Sequence, residues 1–338
     1  MEKILVIQTA FIGDAILTLP MIQKLKMKFQ ESKIDVISTP ITSEIFSASP
    51  FVNNVIELDK RAKHKSFFSL LNFIKEIKKN NYTKIYSPHR SFRTSFIVMN
   101  LGVMESYGFS TSSMKHVYKH LIDYIPNHHE VQRNLDLIDF NEDWKINPEI
   151  NISEETKEKI NLFINENNLG ENIAVIAPGS IWETKKYPAE YFEEVIRYLQ
   201  KNSFNIVLIG SDKDKPFCDR LVKKFSDKII SSAGMFSIIE TIELLKRTKV
   251  LISNDSAPTH FGMCSDIPVL TLYCSTIPEF GFYPYNKKSA YINLNDLKCK
   301  PCGIHGHEKC PINTFACGYE LEPQIVIKKL KEMLNVYN

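Results

Sequence analysis

The sequence predicts an α/β protein built as two Rossmann-like, doubly wound domains that face each other across a cleft. Three observations carry this. Short apolar runs alternate with longer helical patterns, the signature of βα units in a parallel sheet. The alternation stops at a polar stretch, residues 151–172, and then starts afresh. The length, 338 residues, suits two domains better than one.

In the first half, strands are predicted at residues 3–9, 34–39, 55–58 and 84–87, with helical patterns at 15–29, 42–48 and 67–79. In the second half, strands are predicted at 173–177, 206–210, 229–231, 250–253 and 269–273. Helices follow at 189–201, 216–225, 238–246 and 258–264. The intervening stretch reads as an amphipathic helix at 153–167, capped by Ser153 with glutamates in its first turn. The expected units are 1–155, 170–321 and a last helix within 322–338 that packs back towards the first domain. Ligands of such sheets bind beyond the carboxyl ends of the strands.

Composition narrows the function classes. Apolar residues make up 43% and charged residues 24%, an ordinary globular balance, and a net charge of +3 gives no basic face for nucleic acid. No run approaches the ~20 apolar residues of a membrane span, and the start enters a strand at once, so the chain is expected in the cytoplasm. Seven unevenly spread cysteines do not form a disulfide framework.

Three motifs stand at predicted strand ends. The first is Thr9-Ala10-Phe11-Ile12-Gly13-Asp14. Spacing alone favours Asp14 as a helix cap; the functional alternative is a general base projecting from the strand end. Without G-x-G-x-x-G, this strand does not fit a dinucleotide dehydrogenase. The second is Ala177-Pro178-Gly179-Ser180 followed by Lys185-Lys186-Tyr187-Pro188, where a lysine before a helix start can reach an anion. The bland reading is a solvated loop. The third is Ser253-Asn254-Asp255-Ser256-Ala257-Pro258-Thr259-His260. Here the N–H groups of Ser256 and Ala257 open a helix whose dipole favours a pyrophosphate, Asp255 holds the turn, and His260 faces the crevice. A plain capped helix explains this segment equally well.

In their order and spacing, these pieces resemble glycosyltransferase family 9, the ADP-heptose:lipopolysaccharide heptosyltransferases, in particular its heptosyltransferase II-like members. The Gly210-Ser211-Asp212 turn belongs to the same set. The resemblance implies a GT-B fold, an acceptor-binding first domain and a donor-binding second domain, with no cofactor and no catalytic metal. It implies an inverting transfer of a heptose-type sugar, from ADP-heptose, to a lipopolysaccharide core acceptor. Another nucleotide sugar and glycan, or a non-catalytic sugar-nucleotide binder, are the alternatives.

Asp14 is then the catalytic base. Ser180, Lys185, Asp255, Ser256, Ala257 and His260 hold the donor diphosphate, and Phe236 lines the nucleobase pocket. Tyr187 stands where the family usually has Trp, and the segment from Thr276 to Gly281 departs from the family's loop. An anionic, lipid-linked acceptor at the inner membrane face would make the protein peripheral there. Lys60, Arg61, Lys63, Arg90, Arg93, Lys115, Lys119 and Arg133 are candidate acceptor contacts. Arg90 and Arg93 are preferred, because they follow a strand at its carboxyl end, and the others read as solvated surface.

Four cysteines crowd into residues 299–317 beside His305 and His307. Cys-x2-Cys with a further Cys suggests zinc by spacing. Packing without metal, with Ile304, Ile312, Phe315 and buried thiols against the second domain, is the favoured expectation, and redox chemistry is the third reading. A zinc site there would lie away from the reacting centre.

Overall fold

A computed structural model describes residues 1–140, 142–225 and 228–335. The chain divides into two compact units, Met1–Asn151 and Ile152–Asn338, each with its own sheet.

The first unit contains β1 (Lys3–Ile7), α1 (Ile12–Lys28), β2 (Lys33–Ser38), α2 (Ser43–Ser47), β3 (Asn54–Glu57), α3 (Phe67–Lys78) and β4 (Lys84–Ser87). It continues with α4 (Phe92–Leu101), β5 (Glu105–Phe109), β6 (His120–Ile122) and α5 (Glu130–Asp136). All six strands are parallel, in the order β3-β2-β1-β4-β5-β6. Strand β1 is central, and Ile4 to Ile7 are fully buried because helices cover both faces of such a sheet. Serine caps start the helices beside it: Ser66 accepts from the Ser69 N–H at 3.2 Å, and Ser91 accepts from the Thr94 N–H at 3.3 Å.

Strands β5 and β6 and helices α4 and α5 were not predicted. Strand β5 reads Glu-Ser-Tyr-Gly-Phe, too polar for an apolar-run criterion. Its Gly108 is required by packing, since a Cβ there would stand 2.6 Å from the Tyr118 ring.

The second unit contains α6 (Glu154–Glu166), β7 (Ile173–Ala177), α7 (Ala189–Lys201), β8 (Asn205–Leu208), α8 (Lys215–Lys224) and β9 (Ile229–Ser231). There follow α9 (Ile238–Lys246), β10 (Val250–Asn254), α10 (Ala257–Ser265), β11 (Val269–Tyr273), β12 (Ala290–Asn293), α11 (Ala316–Tyr319) and α12 (Pro323–Asn335). Its strand order, β12-β11-β10-β7-β8-β9, repeats the first sheet's topology, again all parallel. Both units are therefore Rossmann-like, and the chain is GT-B-like in its pair of separate sheets.

Two details differ from expectation. Helix α6 is capped by Ser153 as its sequence suggests, but it packs on α9, with Phe163 edge-to-face on Phe236 at 4.9 Å. Helix α12, expected to turn towards the first domain, buries Val326, Leu330 and Met333 in the second core beside α7. Its amphipathic stripe needs an apolar partner, and the Phe192–Leu199 face of α7 supplies one. No helix among the described residues is long and apolar enough to cross a membrane.

Candidate functional site

In each unit the chemistry gathers at the carboxyl ends of the two central strands. In the first unit these are β1 and β4. Asp14 sits in the first turn of α1, three residues after the N-cap Phe11, whose N–H donates to the Asp14 carboxylate at 3.2 Å. The carboxylate thus serves the helix start without being its cap, and it remains half-buried and reachable. Burial first, then the Glu130 carboxylate, push the Asp14 carboxyl up to about 7, against the Phe11 N–H and the Arg90 charge.

Helix α5, packed on α1, brings Glu130 here. Glu130 is buried, pairs with Arg133 at 2.8 Å and accepts from the Tyr124 hydroxyl at 3.0 Å. Arg133 is no surface cation: it is 2% exposed and donates to the Ile125 carbonyl at 2.9 Å. The Tyr124 ring meets two guanidiniums, Arg90 at 3.8 Å and Arg133 at 4.5 Å from its centroid. Arg90 is thereby held near Asp14.

Arg93, in the first turn of α4, donates to the His64 carbonyl at 3.0 Å. Lys60 reaches the Thr9 carbonyl, and burial with the nearby Arg93 and Arg61 charges lowers its pKa. His89 sits among Thr9 and Thr94 hydroxyls at 2.9 Å; burial, then Lys60 and Arg90, push it down to about 4, so it is neutral at pH 7. Glu130, Tyr124 and His89 escaped the sequence reading. No motif flags them, and they matter through neighbours distant in sequence.

In the second unit the central strands are β7 and β10. Asn254, fully buried at the end of β10, ties the two strand-end loops together. Its amide donates to the Pro178 carbonyl at 2.8 Å and accepts from the Tyr187 N–H at 3.0 Å. Tyr187 in turn donates its hydroxyl to the Leu321 carbonyl at 2.8 Å. Gly179 and Gly210 leave room for Asp214: a Cβ on Gly179 would lie 2.2 Å from its carboxylate, and one on Gly210 would lie 2.7 Å from its Cβ.

Lys185 ends a short 3-10 turn, Glu183–Lys185, and pairs with the Asp255 carboxylate at 2.6 Å. Thr276 donates to the same oxygen at 2.7 Å, so Asp255 ties the Lys185 turn to the loop after β11. Thr276 comes from the segment that departs from the family pattern; its role here was not foreseen. Ser256 is the N-cap of α10, and the N–H groups of Ser256 and Ala257 lie where a helix has no internal acceptor. His260 is 4% exposed, and its Nδ1 has no hydrogen-bond partner among the described residues. Burial holds its pKa down to about 4, with Lys185 adding and Asp255 opposing, so the ring is neutral at pH 7.

The structure therefore brings together Lys185, Asp255, Ser256, Ala257 and His260. Ser180 lies in the loop after β7, its hydroxyl accepting from the Trp182 N–H at 3.4 Å. Phe236 follows β9, two strands from β7 in the sheet order. Its ring meets Phe163 and the Lys159 ammonium, outside the Lys185 cluster.

The cysteine segment lies beside the Lys185 turn. His307 exchanges two hydrogen bonds with Thr184, at 2.8 and 3.0 Å, beside Lys185. The Cys302 N–H donates to the Ser275 carbonyl at 2.9 Å, and Lys300 donates to the Tyr273 carbonyl at 2.8 Å. The segment thus buttresses the Lys185 turn, because its backbone bonds Thr184 in that turn and Ser275 just after β11, and the Lys300 side chain bonds the last carbonyl of β11. Ile304 and Ile312 are 55% and 54% exposed, contrary to the packing expected of them, while Phe315 and Cys317 do join the core. Among the described residues no three His, Cys, Asp or Glu side chains are placed to hold a metal ion.

Comparison with known proteins fits this layout. The family model for glycosyltransferase family 9 (heptosyltransferase) matches residues 70–311. Lipopolysaccharide heptosyltransferase 3 of Escherichia coli K12 is 25% identical over 276 residues, covering 78% of this chain and 80% of its own. Among solved structures, a family 9 glycosyltransferase from Veillonella parvula superposes with a TM-score of 0.84 at 21% identity, covering 98% of this chain and 97% of its own. The E. coli ADP-heptose lps heptosyltransferase II gives 0.80 at 19% identity, covering 99% of both chains. With its residues 70–311 matched by that model and its two Rossmann-like sheets in place, the chain belongs to glycosyltransferase family 9 and is a glycosyltransferase, moving a sugar from a nucleotide donor to a glycan acceptor.

Proposed function

We propose that the protein is a metal-independent, inverting heptosyltransferase that takes its sugar from ADP-heptose and delivers it to an anionic, lipid-linked lipopolysaccharide core acceptor. The observation that carries the reading is Asp14, a reachable carboxyl at the carboxyl end of β1 with its pKa pushed up to about 7. A general base works best with a pKa near the operating pH, where it is both ionised and basic enough to take a proton. A helix cap needs no such tuning.

In the reaction, Asp14 removes the proton of an acceptor hydroxyl while that oxygen bonds to the anomeric carbon from the face opposite the leaving group. The bond from that carbon to the diphosphate oxygen breaks, and its electron pair leaves on the diphosphate. Lys185 and the N–H groups of Ser256 and Ala257 meet the charge that develops there. His260, neutral, donates one N–H to the same group without adding a competing cation. Ser180 offers its hydroxyl to the diphosphate, Asp255 keeps Lys185 and the turn in place, and Phe236 stacks with the nucleobase. Arg90 and Arg93 receive anionic groups of the acceptor. The E. coli heptosyltransferase II, named for ADP-heptose and matching over 99% of both chains, supports this choice of donor.

The test pairs calorimetry with turnover. Isothermal titration against a panel of nucleotide sugars is expected to select ADP-heptose, and transfer to a core acceptor is expected to require Asp14. Tight binding of a different nucleotide sugar, with ADP-heptose ignored, would move the protein to another donor within the family.

A further inference from the structure

We propose that the first unit carries a membrane-docking face: a cluster of exposed phenylalanine rings, set in a belt of cations, that seats on an anionic lipid bilayer. The rings come from the first turns of two neighbouring helices. Phe67 and Phe68 open α3, while Phe92 and Phe96 lie in the first two turns of α4. They touch in a chain, Phe68 to Phe67 at 6.1 Å, Phe67 to Phe96 at 5.7 Å and Phe96 to Phe92 at 6.4 Å between centroids. Three of the four are largely in solvent: Phe67 is 59% exposed, Phe68 77% and Phe92 62%. Single exposed apolar residues are ordinary, but a contiguous group of rings marks a surface that is covered by something.

Charge decides what covers it. The approach to α3 reads Lys60-Arg61-Ala62-Lys63-His64-Lys65-Ser66-Phe67-Phe68, and no Asp or Glu occurs between Asp59 and Glu76. None occurs from Ser87 to Met104 either, the stretch that holds Arg90, Arg93 and Phe92. Asp59 does not neutralise the belt by side-chain pairing, since its carboxylate is engaged by the N–H groups of Arg61 and Ala62 at 3.0 and 2.9 Å. Arg61, Lys63 and Lys65 are exposed, and no ion pair involves them among the described residues. Aromatic rings that enter the headgroup layer, surrounded by cations that meet anionic lipid, are the chemistry of a peripheral membrane contact. The face is joined to the acceptor side of the site, because Arg93 lies in the same first turn as Phe92 and bonds the His64 carbonyl.

This proposal rests on the reading that the acceptor is lipid-linked, and its test is separate from that reading because it contains no sugar. The intact protein is mixed with phosphatidylcholine vesicles, or with vesicles in which about a third of the lipid is phosphatidylglycerol, and bound protein is measured by flotation. Binding is expected only to the anionic vesicles, weakening as salt is raised. Phe67→Ser/Phe68→Ser should weaken binding at least about tenfold. Lys65→Gln should weaken it about fivefold. Both variants change exposed side chains, so melting temperature and transfer to a short, water-soluble acceptor should stay at the parent values. Equal binding to both vesicle types, or variants that bind like the parent, would overturn the proposal. So would a parent dimer, seen by sedimentation without vesicles, that Phe67→Ser/Phe68→Ser converts to monomer while vesicle binding is absent; the rings would then cover a second copy.

Discussion

The two units share one topology and put opposite electrostatics at the same place in it. At the carboxyl edge of the first sheet, cations stand near one carboxyl whose pKa is raised to about 7, and burial with Glu130 keeps it raised. At the corresponding edge of the second, Lys185 and Asp255 already pair at 2.6 Å beside a helix start and a neutral His260. In the function proposed above, the first edge moves a proton and the second holds and stabilises an anion. The scaffold positions strand ends, and a few turn residues decide which chemistry each end performs.

The comparison breaks if the roles can be exchanged or dispensed with. The largest expected effect is that of Asp14→Asn: turnover should fall roughly a hundredfold or more while nucleoside diphosphate affinity stays near the parent value. Turnover close to the parent's would leave Asp14 only its bond to the Phe11 N–H.

The same substitution should raise stability. An acid whose folded pKa lies above its unfolded value holds its proton in the native state between about pH 4 and 7, so the native state loses ground as pH rises through that window. Asp14→Asn removes the penalty, and its gain, roughly 1–3 kcal/mol, should be larger at pH 8 than at pH 5. Melting curves at the two pH values check this. An equal or reversed difference would mean that the carboxyl is not strained.

Lys185→Ala tests the second edge. Nucleoside diphosphate affinity should fall about 10- to 100-fold, as for loss of a charge-assisted hydrogen bond, and turnover should fall with it. Unchanged affinity in calorimetry would remove Lys185 from the donor site.

A smaller effect sharpens the contrast. Thr184→Val removes the hydroxyl that accepts from the His307 N–H at 2.8 Å and donates to Ser275 at 3.0 Å. Donor affinity should drop only a few-fold, reflecting one or two neutral hydrogen bonds at about 1 kcal/mol each. A change as large as that of Lys185→Ala would mean that the cysteine segment does more than buttress the turn.

Much of this was legible in the sequence, and unevenly so. Strands β4, β7, β9 and β11 and helices α7, α9 and α12 fall on their predicted residues, because each carries either a dense apolar run or a clean 3.6-residue stripe. Strands β5 and β6 did not, since sheet order, invisible in a single sequence, is what gives Glu105-Ser106-Tyr107-Gly108-Phe109 its partners. At the site, residues inside motifs could be named in advance: Asp14, Lys185, Asp255 and His260. Their chemistry could not. The pKa of Asp14 depends on Glu130, 116 positions away in the chain, and Arg133, which looked like solvated surface, is buried as the partner of that glutamate. Burial of charge is a property of packing and leaves little trace in local spacing.

The most direct test of the central claim is the pH dependence of kcat/KM, which reports ionisations of the free enzyme. If Asp14 is the base, the rate should rise as pH passes about 7 and Asp14 loses its proton. In Glu130→Gln the same rise should move to lower pH, because the neighbouring negative charge that helps hold the proton is gone. A profile that shows no rise near pH 7, or one that Glu130→Gln leaves in place, would contradict the account.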